Sequence, residues 1–183
     1  MKKIDITPFE GVYKIYHKKF GDERGFFSEL FKTDELKNLG FECVAQQNIS
    51  LSNKGVIRGL HLQLEPYEQS KIITVLSGSI FDIALDLRKN STTYLRVFSV
   101  EIDMDSDFSL LVPKGFAHGF QALEDETVVL YSVDKIYAPD FESGINVFSK
   151  EIEIKFPLEE KILSKKDENL PKLADFLAKY EKS

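Results

Sequence analysis

The amino-acid sequence predicts a mainly β protein, folded as a barrel or a sandwich with a few short helices. Many short strand-like runs are separated by turn sequences, and only two segments carry the spacing of a helix. The composition agrees, because 15 Phe and 7 Tyr stand against 2 Met, and aromatic side chains favour the pleated surface of a sheet. The length of 183 residues fits a single domain, 1–183, with enough apolar side chains to fill a core.

The strand predictions depend on short apolar or alternating runs that are bounded by turn residues. Ser77-Gly78 and the segment from Pro113 to Gly115 are examples of such turns. The predicted strands are Gly11–Tyr16, Gly25–Phe31, Val44–Leu51, Lys71–Leu76, Ser79–Arg88, Leu95–Ile102, Phe108–Val112, Phe116–Leu123, Thr127–Val133 and Ile152–Phe156.

Two helices are predicted, one of them at the end of the chain. The first runs from Thr33 to Leu39, with Thr33 as its N-cap and Gly40 closing it in the left-handed conformation. The second runs from Leu170 to Tyr180. It has Pro171 in its first turn and apolar residues at helical spacing, namely Leu170, Leu173, Leu177 and Tyr180.

One strand alternates strictly, from Phe81 to Arg88. Its odd-numbered positions are all apolar, whereas its even-numbered positions include Asp82, Asp86 and Arg88. Two interpretations stay open on this pattern alone. The polar face lies in water on a half-exposed sheet, or it lines the interior of a small barrel that holds a ligand.

Charge and cysteine content exclude several classes of protein. A net charge of -6 disfavours non-specific binding to nucleic acid, so an anionic ligand would need a local cluster of Arg and Lys. Cys43 is the only cysteine, which excludes an intramolecular disulfide and a thiolate zinc site and is typical of a reducing, cytoplasmic setting. We find neither a signal peptide nor a run long enough to span a membrane, so no membrane association is expected.

Histidine is scarce, and two of the three histidines occur in unusual contexts. His118 ends a turn that enters a strand after Pro113, which is typical of cupin barrels, while His61 lies between Arg58 and Gln63. Metal-binding cupins present a His-x-His pair, but here the second position is Gln63. We therefore predict no metal. A lone strand histidine is more often structural than catalytic.

Further candidate residues have both an ordinary and a functional interpretation. Arg58 and Lys71 flank His61, so a pocket that holds the imidazole could also bind a diphosphate, although surface charge is the usual role of such residues. Tyr131 is either a core tyrosine or a proton donor. Asp167 is either a loop charge or the carboxylate that orients an imidazole.

Taken together, these segments resemble the dTDP-4-dehydrorhamnose 3,5-epimerase family of cupin-fold nucleotide-sugar epimerases. The matching segments follow the family order over nearly the whole chain. They are Gly21–Glu29, Gln47-Asn48, Gly55–Gln63, Gln69–Lys71, Phe81–Arg88, Pro113–Phe120, Tyr131, Tyr137–Pro139 and Leu163–Asp167.

The resemblance implies a cupin-type double-stranded β-helix, or jelly-roll, barrel and a role for each matched residue. His61 corresponds to the general base, Asp167 to its dyad partner, Tyr131 to the acid on the opposite face of the sugar, and Lys71 to the group near the keto oxygen. It also implies a homodimer in which Arg24 reaches across the interface, and a nucleotide-diphosphate sugar as ligand. The implied ligand contacts are Arg24, Phe27, Glu29, Gln47, Asn48, Arg58, His118 and Tyr137.

These roles form a coherent reaction. A base with a pKa near ~6.5 removes a proton α to a ketone only if the enolate oxygen is stabilised, and inversion needs a proton from the other face. One base–acid pair could act at C3 and C5, since both carbons flank a C4 ketone. The expected activity is inversion at C3, C5 or both in a dTDP-linked 4-keto-6-deoxy hexose, for surface polysaccharide synthesis, without a cofactor.

Departures from the family pattern keep alternatives open. Ile136 stands where the family usually has a second tyrosine before Tyr137, and the segment Gly144–Ser149 lacks the family's usual Trp and Asn-Asp. The alternatives are a C3-only epimerase acting on another nucleotide-linked 4-keto hexose or heptose, such as a GDP-linked one, a keto-isomerase in the same barrel, and a binding module without catalysis.

Overall fold

Two antiparallel sheets face each other in the computed structural model, which describes residues 4–180. The six-stranded sheet has the order β1 (Ile4–Ile6), β2 (Tyr13–Tyr16), β10 (Phe108–Val112), β7 (Lys71–Ser77), β12 (Thr127–Val133) and β5 (Gln46–Ser52). The five-stranded sheet has the order β13 (Glu142–Gly144), β6 (Ile57–Gln63), β11 (Phe116–Ala122), β8 (Ser79–Asp86) and β9 (Val97–Asp103). The predicted jelly-roll barrel is confirmed.

A separate hairpin and short helices complete the described chain. The strands β3 (Lys19–Asp22) and β4 (Gly25–Ser28) form a two-stranded sheet of their own. The helices are α1 (Thr33–Lys37), α2 (Lys165–Glu168) and α3 (Leu173–Tyr180), with one 3₁₀ turn at Pro139–Phe141.

Apolar side chains fill three layers. The innermost layer lies between the two sheets and includes Ile73 and Phe120. A second covers the outer face of the five-stranded sheet, where Leu173 and Phe176 of α3 pack. A third covers the other sheet, where Leu36 of α1 packs. Helices α1 and α3 therefore lie outside the barrel and leave its interior to the side chains of the strands.

The alternating strand β8 resolves the two interpretations of its pattern. Asp82 and Asp86 are both completely buried, so the half-exposed sheet is wrong and the polar barrel interior is the correct alternative. Asp86 is bonded by Arg88, Ser91 and Thr93, and these contacts hold the pKa of its carboxyl at about 2 despite burial.

Several predicted elements need correction. The segment Ile152–Phe156 is irregular rather than a strand, since its apolar side chains pack onto the outer layer without sheet pairing. Thr33 is the first residue of α1, whose N-cap is Lys32, whereas Gly40 does adopt the predicted positive φ of 80°. The last helix begins at Leu173, not Leu170.

Strand β6, which carries His61, was not among the predicted strands, and Gly59 lies in its middle. Gly59 has a φ of +116°, and a Cβ there would lie 2.7 Å from the Cα of Gly119. A Cβ at Gly119 would in turn clash with the carbonyl of Arg58. The backbones of β6 and β11 therefore touch at an irregularity between His118 and Phe120.

Candidate active site

A cavity of about 360 Å³ opens between the two sheets. Strands from both sheets and helix α2 contribute to its wall. Seven of the residues predicted from the sequence meet there: Asn48, Arg58, His61, Lys71, His118, Tyr131 and Asp167. The cavity is also lined by Ile49, Ser50, Gly119, Phe120, Ser164 and Lys166.

His61 forms a short hydrogen bond with a carboxylate that lies 106 residues further along the chain. Its Nε2 is 2.6 Å from Oδ1 of Asp167. Ser164 caps helix α2 by accepting the backbone N–H of Asp167 at 3.1 Å, which fixes the carboxylate in place. Because Asp167 occupies Nε2, the Nδ1 of a neutral imidazole is the nitrogen that can accept a proton.

The electrostatics favour an ionised partner for the imidazole. Burial opposes ionisation of Asp167, but the hydrogen bond and charge of His61, together with the Ser164 hydroxyl, outweigh that effect. The pKa of Asp167 therefore lies below its usual value. An ionised Asp167 stabilises an imidazolium, as a base that accepts a proton from carbon requires.

Lys71 lies beside His61. Its Nζ donates to the carbonyl oxygen of His61 at 3.2 Å. Burial lowers the pKa of Lys71 to about 8, while the charges of Glu142 and Asp82 act in the opposite direction. Lys71 therefore carries a positive charge at neutral pH but releases it more readily than an exposed lysine.

Tyr131 faces the cavity from the other sheet. Its hydroxyl is 3.2 Å from Oγ of Ser50. Burial raises the pKa of Tyr131 to about 12, although Ser50 and Arg58 partly oppose this. At neutral pH the phenol is consequently protonated, and it can donate a proton only to a strongly basic acceptor such as an enolate.

A second histidine–aspartate pair lies beside the first. His118 and His61 are register partners on adjacent strands, and Nε2 of His118 is 2.9 Å from Oδ2 of Asp82. The other carboxylate oxygen of Asp82 is buried and accepts no hydrogen bond.

Arg58 is anchored by the hydroxyl of Ser52 and the carbonyl of Leu51, at 2.9 Å each.

Five predicted ligand contacts lie outside this cavity. Arg24 and Phe27 belong to the β3–β4 hairpin, and Glu29 follows it, with Oε1 of Glu29 3.3 Å from Nζ of Lys32. Gln47 is adjacent to Asn48 on β5, so its side chain lies on the opposite face of the sheet. Its amide donates to the hydroxyl of Ser132. The fifth, Tyr137, donates to a carboxylate oxygen of Glu142 at 2.7 Å. Their ligand-binding roles stay predictions.

Sequence reasoning did not single out six of the residues that line the cavity, namely Ile49, Ser50, Gly119, Phe120, Ser164 and Lys166, nor the neighbouring Asp82 and Glu142. Ser164 had a detectable signal, since Ser-x-x-Asp is a helix-capping pattern. Asp82 lay on the polar face of the alternating strand. Glu142 and Lys166 gave no signal, because their ion pair of 2.7 Å joins residues 24 positions apart.

No three His, Cys, Asp or Glu side chains among residues 4–180 converge as metal ligands. The predicted absence of a metal from the reaction stays a prediction. In the same part of the chain, no helix is both long and apolar enough to cross a membrane.

Fold and cavity together define a cupin-type barrel enzyme equipped for acid–base chemistry on a small polar ligand. Comparison with known proteins is more specific. Residues 6–175 match the family model of dTDP-4-dehydrorhamnose 3,5-epimerase, and the chain belongs to that family. The predicted resemblance is confirmed, and so is the prediction that the protein is an enzyme of the isomerase class.

Individual relatives cover nearly the full chain. The dTDP-4-dehydrorhamnose 3,5-epimerase of Shigella flexneri is 43% identical over 161 residues, 86% of this chain and 88% of the relative. The crystal structure of the Bacillus anthracis enzyme with TDP and PPi bound has a TM-score of 0.90 and 42% identity, covering 94% and 100% of the two chains.

A 3'-monoepimerase is also similar. ChmJ of Streptomyces bikiniensis, solved with dTDP-quinovose, has a TM-score of 0.86 and 29% identity, covering 94% of this chain and 89% of its own. Solved structures of similar fold therefore include both a 3,5-epimerase and a 3'-monoepimerase, and the fold alone does not separate them.

Proposed function

We propose that the chain is a 3,5-epimerase of a dTDP-linked 4-keto-6-deoxy hexose. The observation that carries this proposal is the placement of the base and the acid. His61 projects from the five-stranded sheet and Tyr131 from the six-stranded sheet, into one cavity. Groups on opposite walls can reach opposite faces of a bound sugar ring, which is what inversion of a carbon centre requires.

The proposed reaction removes a proton from a carbon and returns a proton to the opposite face of the same carbon. Nδ1 of His61 takes the proton from the carbon next to the ketone, the C–H electron pair forms the C=C bond of the enolate, and the carbonyl π pair moves to the C4 oxygen. The ammonium group of Lys71 stabilises the enolate oxygen. The hydroxyl of Tyr131 then donates a proton to the opposite face, and solvent restores both groups. The same steps at C3 and at C5 give double inversion.

The diphosphate part of the substrate would bind near Arg58, whose guanidinium is held at the cavity edge by two hydrogen bonds. Cys43 is exposed and unbonded, which suits the cytoplasm, where we place the reaction. Surface polysaccharide synthesis, as predicted from the sequence, would use the product.

Deuterium exchange tests this proposal directly. In deuterated water with a dTDP-linked 4-keto-6-deoxy glucose, NMR is expected to show deuterium at both C3 and C5 and inversion at both carbons. A GDP-linked 4-keto sugar serves as the parallel substrate. Exchange confined to C3 would identify a 3-epimerase, movement of the ketone away from C4 would identify a keto-isomerase, and binding without exchange would leave only a binding module.

We also propose that the enzyme is a homodimer in which the β3–β4 hairpin reaches the partner's cavity. The hairpin exposes Phe20, Phe26 and Phe27 at 53%, 58% and 68%, an aromatic surface that a monomer leaves in water. Arg24 points outward from the same hairpin with 85% of its side chain exposed. In the proposed dimer these residues meet the substrate that is bound to the other copy of the chain.

The dimer makes a measurable prediction. Light scattering after size exclusion is expected to give about twice the 21.0 kDa of one chain. Phe27→Asp places a charge in the aromatic surface and is expected to shift the mass toward that of one chain and to raise KM by roughly tenfold. Phe148→Asp, at another exposed aromatic, serves as the control. A wild-type mass of 21.0 kDa would contradict the proposal.

A further inference from the structure

Gln63 stands where metal-binding cupins present their second histidine, and the proposed acid–base steps do not use it. It lies on β6 two positions after His61, so the two side chains are on the same face of the sheet. Gln63 is buried, with only 5% of its surface exposed. Because a buried amide needs partners for both its oxygen and its NH₂ group, those partners indicate its role.

Three hydrogen bonds satisfy the amide of Gln63. Its Nε2 donates to the carbonyl oxygen of Tyr67 at 2.6 Å and to that of Ile136 at 3.2 Å, while its Oε1 accepts the backbone N–H of Ala138 at 2.7 Å. These partners fix the orientation of the amide, because the reverse orientation would turn its oxygen toward two carbonyls. Gln63 therefore joins β6 to the loop that leads into β7 and to the loop that leaves β12.

Segment 136–138 of the second loop is held from both sheets. The segment is irregular, and two of its backbone N–H groups donate to glutamine side chains. The N–H of Ala138 reaches Gln63 of the five-stranded sheet, and the N–H of Tyr137 donates to Oε1 of Gln46 in the six-stranded sheet at 2.8 Å. The two glutamines thus hold the segment across the gap between the sheets.

The same contacts place the segment next to the cavity. Nε2 of Gln46 donates to Oδ1 of Asn48 at 2.8 Å, and Asn48 lines the cavity. The anchor on the other sheet is two positions from His61, which also lines it. Ile136 and Tyr137 are 59% and 49% exposed, so their side chains lie beside the cavity rather than in the apolar core.

We infer that Gln63 is a positioning residue, which fixes the backbone of segment 136–138 and thereby presents the ring of Tyr137 to a ligand in the cavity. The inference rests on the proposed function, because the ligand is the dTDP-linked sugar of that proposal. It also explains why an amide occupies this position, since one glutamine side chain donates to two carbonyls and accepts one N–H.

The chemical steps should depend on Gln63 less than ligand binding does. The base, the acid and Lys71 all lie in paired strands. The loop that leaves β12 has another anchor, because Nε2 of Gln69 donates to the carbonyl oxygen of Lys135 at 2.7 Å. Loss of the Gln63 amide should therefore loosen segment 136–138 without displacing the reacting groups.

Gln63→Met tests the inference, because it preserves the length of the side chain and removes all three hydrogen bonds. Titration calorimetry is expected to show the Kd for dTDP raised by roughly tenfold. The KM for the dTDP-linked 4-keto sugar should rise in parallel, while kcat stays near the wild-type value. Gln63→Glu keeps an oxygen for the N–H of Ala138 and should move Kd in the same direction, so the result does not depend on one variant.

Gln121→Met provides a matched control. Gln121 is a buried glutamine of β11 whose Nε2 donates to the carbonyls of Leu158 and Glu160 and whose Oε1 accepts the N–H of Leu158. Gln63→Met and Gln121→Met should both lower Tm, because each removes the hydrogen bonds of a buried amide. Only Gln63→Met should change the Kd for dTDP.

A double variant shows whether Gln63 acts through Tyr137. In a Tyr137→Ala background, Gln63→Met is expected to change the Kd for dTDP by less than about twofold. Without any ligand, amide hydrogen exchange at Ala138 should be faster in Gln63→Met than in the wild type. Additive effects in the double variant, unchanged exchange at Ala138, or an equal rise of Kd in Gln121→Met would overturn the inference. Absence of epimerisation in a wild-type enzyme that binds dTDP would instead overturn the proposed function.

Discussion

Replacing Tyr131 with Phe is expected to reduce inversion by about 10²–10⁴-fold, the range over which a positioned acid contributes, while deuterium exchange into the substrate continues. His61 can still remove a proton, exchange it with solvent and return deuterium to the same face. The variant should therefore label the substrate without changing its configuration. Mass spectrometry measures the label, and coupling constants in NMR measure the configuration.

His61→Asn provides the complementary result. It removes the base while leaving the Tyr131 phenol, so both exchange and inversion should fall by about 10²–10⁴-fold. Tyr13→Phe removes a tyrosine hydroxyl away from the cavity and should match the wild type. Inversion at the wild-type rate in Tyr131→Phe would mean that another group supplies the second proton, and that the acid has been misassigned.

Replacing Lys71 with Met is expected to lower kcat by about 10²–10³-fold, the usual cost of removing one donor from a developing oxyanion. The dependence of wild-type kcat on pH should also reflect the charge of Lys71. Since the charged form of Lys71 would stabilise the enolate and its pKa is lowered to about 8, activity should decline on the alkaline side as the pH rises through that value.

Two controls make this result specific. Lys54→Met removes an exposed lysine in a turn and should not change the profile. Lys71→Arg keeps a charge that does not titrate in the accessible range, so any residual activity should lack the alkaline decline. An alkaline limb that persists unchanged in Lys71→Arg would assign it to a different group.

The alternation of apolar and polar residues predicted a strand correctly where the two faces of that strand have different surroundings. Strand β8 alternates because one of its faces packs on the outer apolar layer and the other on the barrel interior. Ile152–Phe156 has a similar apolar composition, but its side chains fill the outer layer from an irregular backbone. The apolar residues correctly predict burial in both segments. Whether a segment pairs as a strand depends on its neighbours in space, and the local sequence does not identify them.

The site was predictable only where residue type and family resemblance coincide. His61 and Asp167 are 106 positions apart and 2.6 Å apart in space, and nothing in the local sequence joins them. Glu142 and Lys166 escaped detection for the same reason: each is an ordinary surface residue by pattern, and only the fold brings them together. The hairpin residues Arg24 and Phe27 illustrate the converse, because their proposed partners lie on another copy of the chain.

The contact between Gly59 and Gly119 limits how this enzyme can diversify. Backbone meets backbone at that point, so the strands that carry His61 and His118 have no side chains between them whose size could be varied. Their separation is consequently a fixed dimension of the barrel. A change of sugar specificity would therefore come from the facing sheet or from helix α2, where Asn48, Ile49 and Lys166 line the cavity.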